Sequence, residues 1–384
     1  MSYILFFKPI VDMLYQYQVL DVILTLLCIL ALVKGRKVKG FCWMDAVLSL
    51  WALFFLFAFL RHPYPESTTV LVKIMSMFLL YILGRLYYYK WPKLVKYLTY
   101  GLTITLIVSL ITAITGIGFQ YWGSIYTFMG LYYFKTDAAA ALSQCLIFYL
   151  IRKDFSIKQL IIILIGLSLI ALANARIYYL ISFLIIILHF LYARECRTGK
   201  RILISFKLIT IVVMSIVFII FALNELSSDL GEDYLLIQFD DVDELYDNKN
   251  TQGRNVIWEI MLNRFFHEDL TTQIVGLHLT ADSVIDSHNA HSLYIFLLIS
   301  TGYLGIAIFL LFLFTVTVYI NKIKTAKLFY CNICFMMQLL IAGISFSVLI
   351  STQLTWLPFF FLGLGVSDSQ HNSETRSLPS HIPA

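Results

Sequence analysis

Residues 292–319 read SLYIFLLISTGYLGIAIFLLFLFTVTVY, 28 residues without a single charge. Roughly 20 apolar residues in helical form cross the hydrocarbon of a bilayer, so this stretch alone predicts a transmembrane helix. Outward from it the same reading recurs. Apolar runs fall at about 19–33, 43–60, 69–84, 97–117, 134–151, 159–173, 177–193, 203–223, 329–350 and 355–366. They are continuous, without the two-residue alternation of barrel strands, which leaves helices as the spanning elements. The expected fold is an all-α polytopic integral membrane protein of about 10–12 transmembrane helices, with one large extracytoplasmic loop containing short amphipathic helices.

Composition agrees. The chain has 384 residues, 60% hydrophobic and only 13% charged, where a soluble domain carries about 25% charge. That excludes a soluble core, a disordered chain and a disulfide scaffold, and nothing points to nucleic acid. The six cysteines are scattered. Cys331 and Cys334 have metal-type spacing but no second pair, and read as packing. Lys8, Asp12 and Asp21 interrupt any early apolar core, so no cleavable signal peptide is expected.

Five short loops, 34–42, 85–96, 152–158, 194–207 and 320–328, hold 19 of the 28 basic residues and alternate along the spans. The positive-inside rule puts all five in the cytoplasm. The long loop 224–290 then faces outward. It holds 14 of the 23 acidic residues against Lys249, Arg254 and Arg264 alone. Within it, 254–269 spaces Ile257, Ile260, Met261, Phe265 and Phe266 as an amphipathic helix lying on the membrane face. The expected organisation is N-terminal transmembrane helices over 1–223, the extracytoplasmic loop with its catalytic region over 224–290, C-terminal transmembrane helices over 291–366, and a polar, disordered tail over 367–384.

Charges near or inside membrane spans are candidates for function. Arg176 opens an apolar run at its outer end, where the positive-inside bias disfavours Arg; the bland alternative is a side chain snorkelling to headgroups. Lys73 reads as such a snorkelling lysine. Lys135 and Asp137 read as a local ion pair, and Asp45 and Arg61 as ordinary span ends. The end of the long loop is densest in chemistry: Gly276-Leu277-His278, then Asp286-Ser287-His288-Asn289-Ala290-His291-Ser292. His278, His288 and His291 with Asp282 or Asp286 could hold a metal, but nothing fixes a third ligand, and no metal is expected. His288 and His291, three apart, share a face if a helix begins near Ser287. The bland reading makes these polar residues caps for the helix that starts near 291.

The combination of Gly253-Arg254, Trp258, Gly276, His288-Asn289 and Gly302/Gly305 resembles the core of the bacterial O-antigen polymerase and O-antigen ligase superfamily. Residues 174–188 (NARIYYLISFLIIIL) look like that family's arginine-containing start of an outward-facing span. Gly276 is followed by Leu277-His278 rather than a second glycine. His288 has the family's neighbouring Asn, whereas His291 has its usual distance to Gly302; either could be the functional histidine.

The resemblance implies an enzyme of the bacterial inner (cytoplasmic) membrane acting on sugars carried by undecaprenyl pyrophosphate. An acceptor hydroxyl attacks, the glycosidic bond to the lipid phosphate breaks, and the pyrophosphate leaves with little need of acid catalysis. Arg holds such an anion best, through its planar fork and fixed charge. Arg176 and Arg254 are the candidates, with Arg264 and Lys135 as helpers, and Trp258 and Asn289 as further substrate-binding residues. His291 or His288 suits the base that takes the hydroxyl proton. No cofactor is expected. The expected partners are the lipid-linked oligosaccharide, membrane lipids, a flippase and a chain-length regulator. The activity implied is repeat-unit polymerisation in O-antigen, capsule or exopolysaccharide synthesis. The alternatives are an O-antigen ligase or a lipid-linked sugar transporter, the last requiring polar groups at mid-bilayer.

Overall fold

The computed structural model describes residues 1–14, 17–35, 40–122, 125–151, 156–201, 254–279 and 291–374. They form a bundle of helices: α1 (Ser2–Met13), α2 (Gln18–Val33), α3 (Trp43–Arg61), α4 (Pro65–Leu86), α5 (Trp91–Ile114), α6 (Lys135–Leu150), α7 (Ile157–Leu172) and α8 (Arg176–Thr198). After the long loop come α9 (Arg254–His267), α10 (Leu270–Val275), α11 (Leu293–Lys322), α12 (Ala326–Ser345) and α13 (Thr352–Glu374). Six of them, α3, α4, α5, α8, α11 and α12, are long and apolar enough to cross a membrane. The chain is an all-α polytopic membrane protein. The expected span 203–223 and the acidic stretch 225–247 lie outside the described residues.

Helix boundaries follow local chemistry. Asp45 closes a capping box at the start of α3, accepting from the Cys42 N–H at 2.8 Å. Ser156 and Gln159 do the same for α7, α4 begins on Pro65, and α8 stops at Gly199 in the left-handed region. At the centre runs α6, buried at every position except Thr136. Its four alanines, 138–141, let α5, α7, α8, α12 and α13 pack around it. Elsewhere the α4 and α13 backbones touch at Gly84 and Gly363, where a Cβ on either would overlap the other helix's carbonyl.

Three features depart from the sequence expectation. The first is α1, which crosses α5 with the Phe6 carbonyl against Gly101. The second is a short antiparallel hairpin, β1 (Phe119–Trp122) and β2 (Ile125–Phe128), between α5 and α6. The third corrects the tail: 367–374 is not disordered but continues α13 to Glu374. The reason is Asp368, buried, which accepts from the backbone N–H groups of Lys324 (2.8 Å) and Thr325 (3.1 Å) and from the Tyr88 hydroxyl (2.7 Å). A polar composition reads as disorder only when its groups lack partners.

Candidate functional site

The site is built on a break in α11. Gly302 adopts φ +64, ψ −166 inside the helix, and carbonyls of the preceding turn lose their regular partners there. Just before the break the Thr301 hydroxyl donates to Leu297 O at 2.5 Å. At the break, Ile299 O accepts the N–H of Leu277 at 2.8 Å. That bond docks the end of α10 into the break. Gly276, at φ +86, closes α10 and lies directly on Gly302; a Cβ on Gly302 would stand 2.5 Å from Gly276 N and Gln273 O. Only glycine serves at both positions.

The preceding helix α9 rides on the same place. Met261 and Phe265 bury against Ile299, with Leu277, Ile295 and Leu298 around them. This is the expected amphipathic helix, but Ile260 (47% exposed) and Phe266 (52%) stay uncovered, so its apolar surface extends beyond the docked face. Asp269 caps α10, accepting from Thr271 N at 3.1 Å and Thr272 N at 3.3 Å.

From the other side comes the turn between α3 and α4. Arg61 donates from Nη1 to Gly276 O at 2.8 Å, so it does more than end a span. The next residues complete a ring cluster: His278 lies 6.0 Å from His62 and 5.8 Å from Tyr64, centroid to centroid. His278 is half-buried. Burial first, then His62 and Arg264, hold it below the ordinary histidine value, so it is neutral at pH 7 and able to accept a proton. Arg264 of α9 thus acts on His278 electrostatically. Neither Arg61 nor Arg264 forms a salt bridge among the described residues.

The other expected site residues are placed as follows. Arg176 is the exposed first residue of α8, and Lys135 the buried first residue of α6. These helices run parallel, with α7 returning between them, so both cations sit at the end that carries Arg61 and His278. Trp258 is half-buried on α9. Arg254 begins α9, where only its backbone is described. His288 and Asn289, like Asp282 and Asp286, lie outside the described residues. His291 precedes α11 in the left-handed region, φ +45, with Ser292 at the N-cap. It is therefore outside the helix; the expected helical face shared with His288 involves a residue outside the described ones. The positive φ of a non-glycine residue marks a locally constrained backbone.

A second set of polar groups escaped the sequence reading. Lys8 and Asp12 form a buried ion pair one turn apart on α1, with the Lys8 ammonium 4.2 Å over the Trp356 ring of α13. Asp137 does not pair with Lys135. It faces Asp12, Lys73 and Lys8 electrostatically, and its Oδ1 and the Tyr178 hydroxyl are buried without hydrogen bonds. The available signal was Lys8 and Asp12 at i, i+4 in an apolar segment. It reads as an interruption unless that segment is recognised as a helix.

Comparison with family models, with curated proteins and with solved structures finds no match.

Proposed function

We propose that this protein polymerises undecaprenyl-pyrophosphate-linked oligosaccharide repeat units at the outer face of the bacterial inner membrane. One observation carries the reading: Arg176 and Lys135 begin their helices at the end of the bundle remote from the basic loops, where Arg61 holds a segment docked into a broken helix. An anion is the ligand such a surface suits. The chemistry asked of it is modest. The acceptor hydroxyl attacks the anomeric carbon, the carbon–phosphate oxygen bond breaks, the pyrophosphate departs with the electron pair, and a histidine takes the hydroxyl proton. Arg176 and Arg254 neutralise the leaving group, assisted by Arg264 and Lys135. His291 or His288 is the base.

The test is the purified protein with lipid-linked repeat units. Ladders of products support polymerisation; single transfers to an acceptor indicate a ligase instead. Arg176→Lys and Arg254→Lys should each lower turnover, because loss of a charge-assisted contact costs roughly 1.5–3 kcal/mol and a point charge does not restore the fork. Comparison of His291→Ala with His288→Ala identifies the base. If both variants polymerise normally, neither histidine has that role.

A second reading, transport of a lipid-linked sugar, draws on the buried Lys8, Asp12 and Asp137, since ionisable groups inside a membrane bundle commonly line a pathway. Proteoliposomes decide between them. Inward-facing lipid-linked units that become accessible outside, with no change in chain length, would replace the polymerase by a transporter.

A further inference from the structure

We infer that the β1–β2 hairpin is the sugar platform of the substrate site: Tyr121 and Tyr126 stack on the first sugars of the lipid-linked oligosaccharide, above an apolar groove that takes the lipid tail. This rests on the reading above and adds to it residues that neither the resemblance nor the basic side chains point to.

The argument begins with the strands. From Gly116 to Tyr133 the chain carries no charge and is rich in rings. Pairing of Phe119 with Phe128 and of Tyr121 with Tyr126 sets these four rings on one face. At the base Phe128 is fully buried, and a Cβ on Gly118 would stand 2.6 Å from its ring. Gly118 O there accepts from Met129 N at 2.8 Å and Gly130 N at 3.0 Å, which fixes the stem. Toward the tip the rings form a ladder. Phe119 stacks on Tyr126 at 5.4 Å, and Tyr126 lies 5.0 Å from Tyr121 with planes 50° apart. Tyr121 is 74% exposed and Tyr126 55%. The C–H face of a sugar ring is apolar and packs on an aromatic ring, while the hydroxyls at its edge form hydrogen bonds; tyrosine offers both contacts.

Position selects the sugar over other occupants. On the hairpin's other face Thr127 is buried and donates to Ala173 O at 2.9 Å. That ties the hairpin to the α7–α8 turn, three residues before Arg176. Arg176 and Tyr179 are neighbours one turn apart on α8, and the Tyr179 hydroxyl donates to Ala171 O at 3.0 Å, so this face of α8 looks back to the same turn. A pyrophosphate held by Arg176 is covalently joined to the first sugar, which must then lie close by. Beneath the hairpin a groove of about 440 Å³ runs between α5 and α7, lined by Leu110, Ile114, Leu164, Leu169 and Leu172 among others. Ile114 and Leu172 are exposed, so the groove opens toward lipid, and Leu172 O lies 3.4 Å from the same Thr127 hydroxyl. Tail, pyrophosphate and sugar are thus accommodated in the order in which the molecule links them. Sinking the hairpin into hydrocarbon is disfavoured, because a two-stranded ribbon leaves its outer N–H and C=O groups unpaired there.

The experiment uses the full-length protein in detergent, titrated with undecaprenyl-pyrophosphate-linked repeat units and separately with undecaprenyl pyrophosphate. Wild type is expected to bind the glycosylated lipid more tightly. Tyr121→Ala and Tyr126→Ala should each weaken that binding roughly tenfold, with melting temperature and affinity for undecaprenyl pyrophosphate unchanged. Tyr126→Phe keeps the ring and should keep the affinity; a loss as large as in Tyr126→Ala would remove the stacking. Equal affinity of wild type for the two lipids, or unchanged binding in both Ala variants, overturns the proposal. Equal weakening for the two lipids also overturns it and makes the hairpin a membrane-interface anchor. The polymerase reading fails separately. Sugar-dependent binding that the Ala variants lose, with no polymerisation by wild type, leaves the platform standing, whereas normal binding and polymerisation by the Ala variants remove the platform and leave the enzyme.

Discussion

At the end of the bundle with the basic loops, Arg85 is buried and gives its guanidinium to Asp45 and Gln370. Asp45 takes the Tyr81 hydroxyl at 2.7 Å as well. Asp368 gathers four donors from Tyr88, Lys324 and Thr325, and Arg201 joins Glu195 to the carbonyl of Lys324. At the opposite end Arg61 makes one hydrogen bond to a backbone carbonyl and Arg264 makes no salt bridge among the described residues. The same residue types thus do different work. Paired and desolvated, they tie loops and helix ends together. Held by a backbone carbonyl and with no salt bridge among the described residues, they fix a docked segment instead.

The largest expected effect lies in the closed end. Removing one member of a buried pair strands the other charge, at a cost of roughly 3–5 kcal/mol. Arg85→Ala and Asp45→Ala should each lower the melting temperature in detergent sharply, and the double variant should recover part of the loss, since the two residues are coupled. Arg264→Gln should leave melting within about 0.5 kcal/mol of wild type, as surface substitutions do. If Arg85→Ala melts like wild type, the contrast between the two ends has no energetic content.

A smaller and more local effect is expected at the break in α11. Gly302→Val places a Cβ against Gly276 N and Gln273 O in a backbone conformation, φ +64 and ψ −166, that costs an L-residue about 1–3 kcal/mol before any overlap. The bundle should survive while α10 lifts away. Hydrogen exchange should then rise over 254–279 and stay unchanged in α4, α6 and α13. A uniform rise would mean that the break supports the whole bundle rather than its outer segment.

The two ends also differ in how much of them the sequence discloses. Long apolar runs announce α3, α4, α5, α11 and α12 because a 20-residue hydrophobic stretch needs no tertiary partner to be recognised. The amphipathic spacing of α9 is readable for the same reason: Met261 and Phe265 are four apart and face one way. What was not readable depends on distant partners. α1 carries Lys8, Pro9 and Asp12, which argue against a membrane helix until Trp356 and Asp137 are beside them. The helical tail needs Asp368 to meet a loop 43 residues earlier. Arg61 reaches Gly276 across 215 residues, and no local pattern encodes that meeting. The candidate site was therefore half legible. Arg264 stood out as a rare basic residue of the outward loop, and Gly276 and Gly302 entered through the family resemblance, whereas Arg61 looked like an ordinary end of a span and His62 drew no reading.

The smallest expected effect is a pH dependence, and it takes opposite signs in two measurements. His278 is faced by His62 and Tyr64 from the α3–α4 turn and by Arg264 from α9. Burial first, then His62 and Arg264, hold it below the ordinary histidine value, so the folded protein releases a proton that the unfolded chain keeps. Stability contributed by this group is therefore present at neutral pH and declines as pH falls through about 6.5, the unfolded value. A pyrophosphate held at this end of the bundle, as the proposed function requires, brings negative charge toward the same ring and favours its protonated form. Affinity for the anion should then rise over the same acidification, from roughly pH 7.5 to 6, while the ligand-free protein melts slightly lower. The ligand's own titration is common to wild type and His278→Asn, so the difference between them isolates the imidazole. In the variant the pH dependence of both melting and affinity should shrink. Parallel curves for wild type and variant would show that His278 neither resists protonation in the free protein nor gains a proton with the anion. The outward end would then attract anions through its arginines and lysine without help from this imidazole.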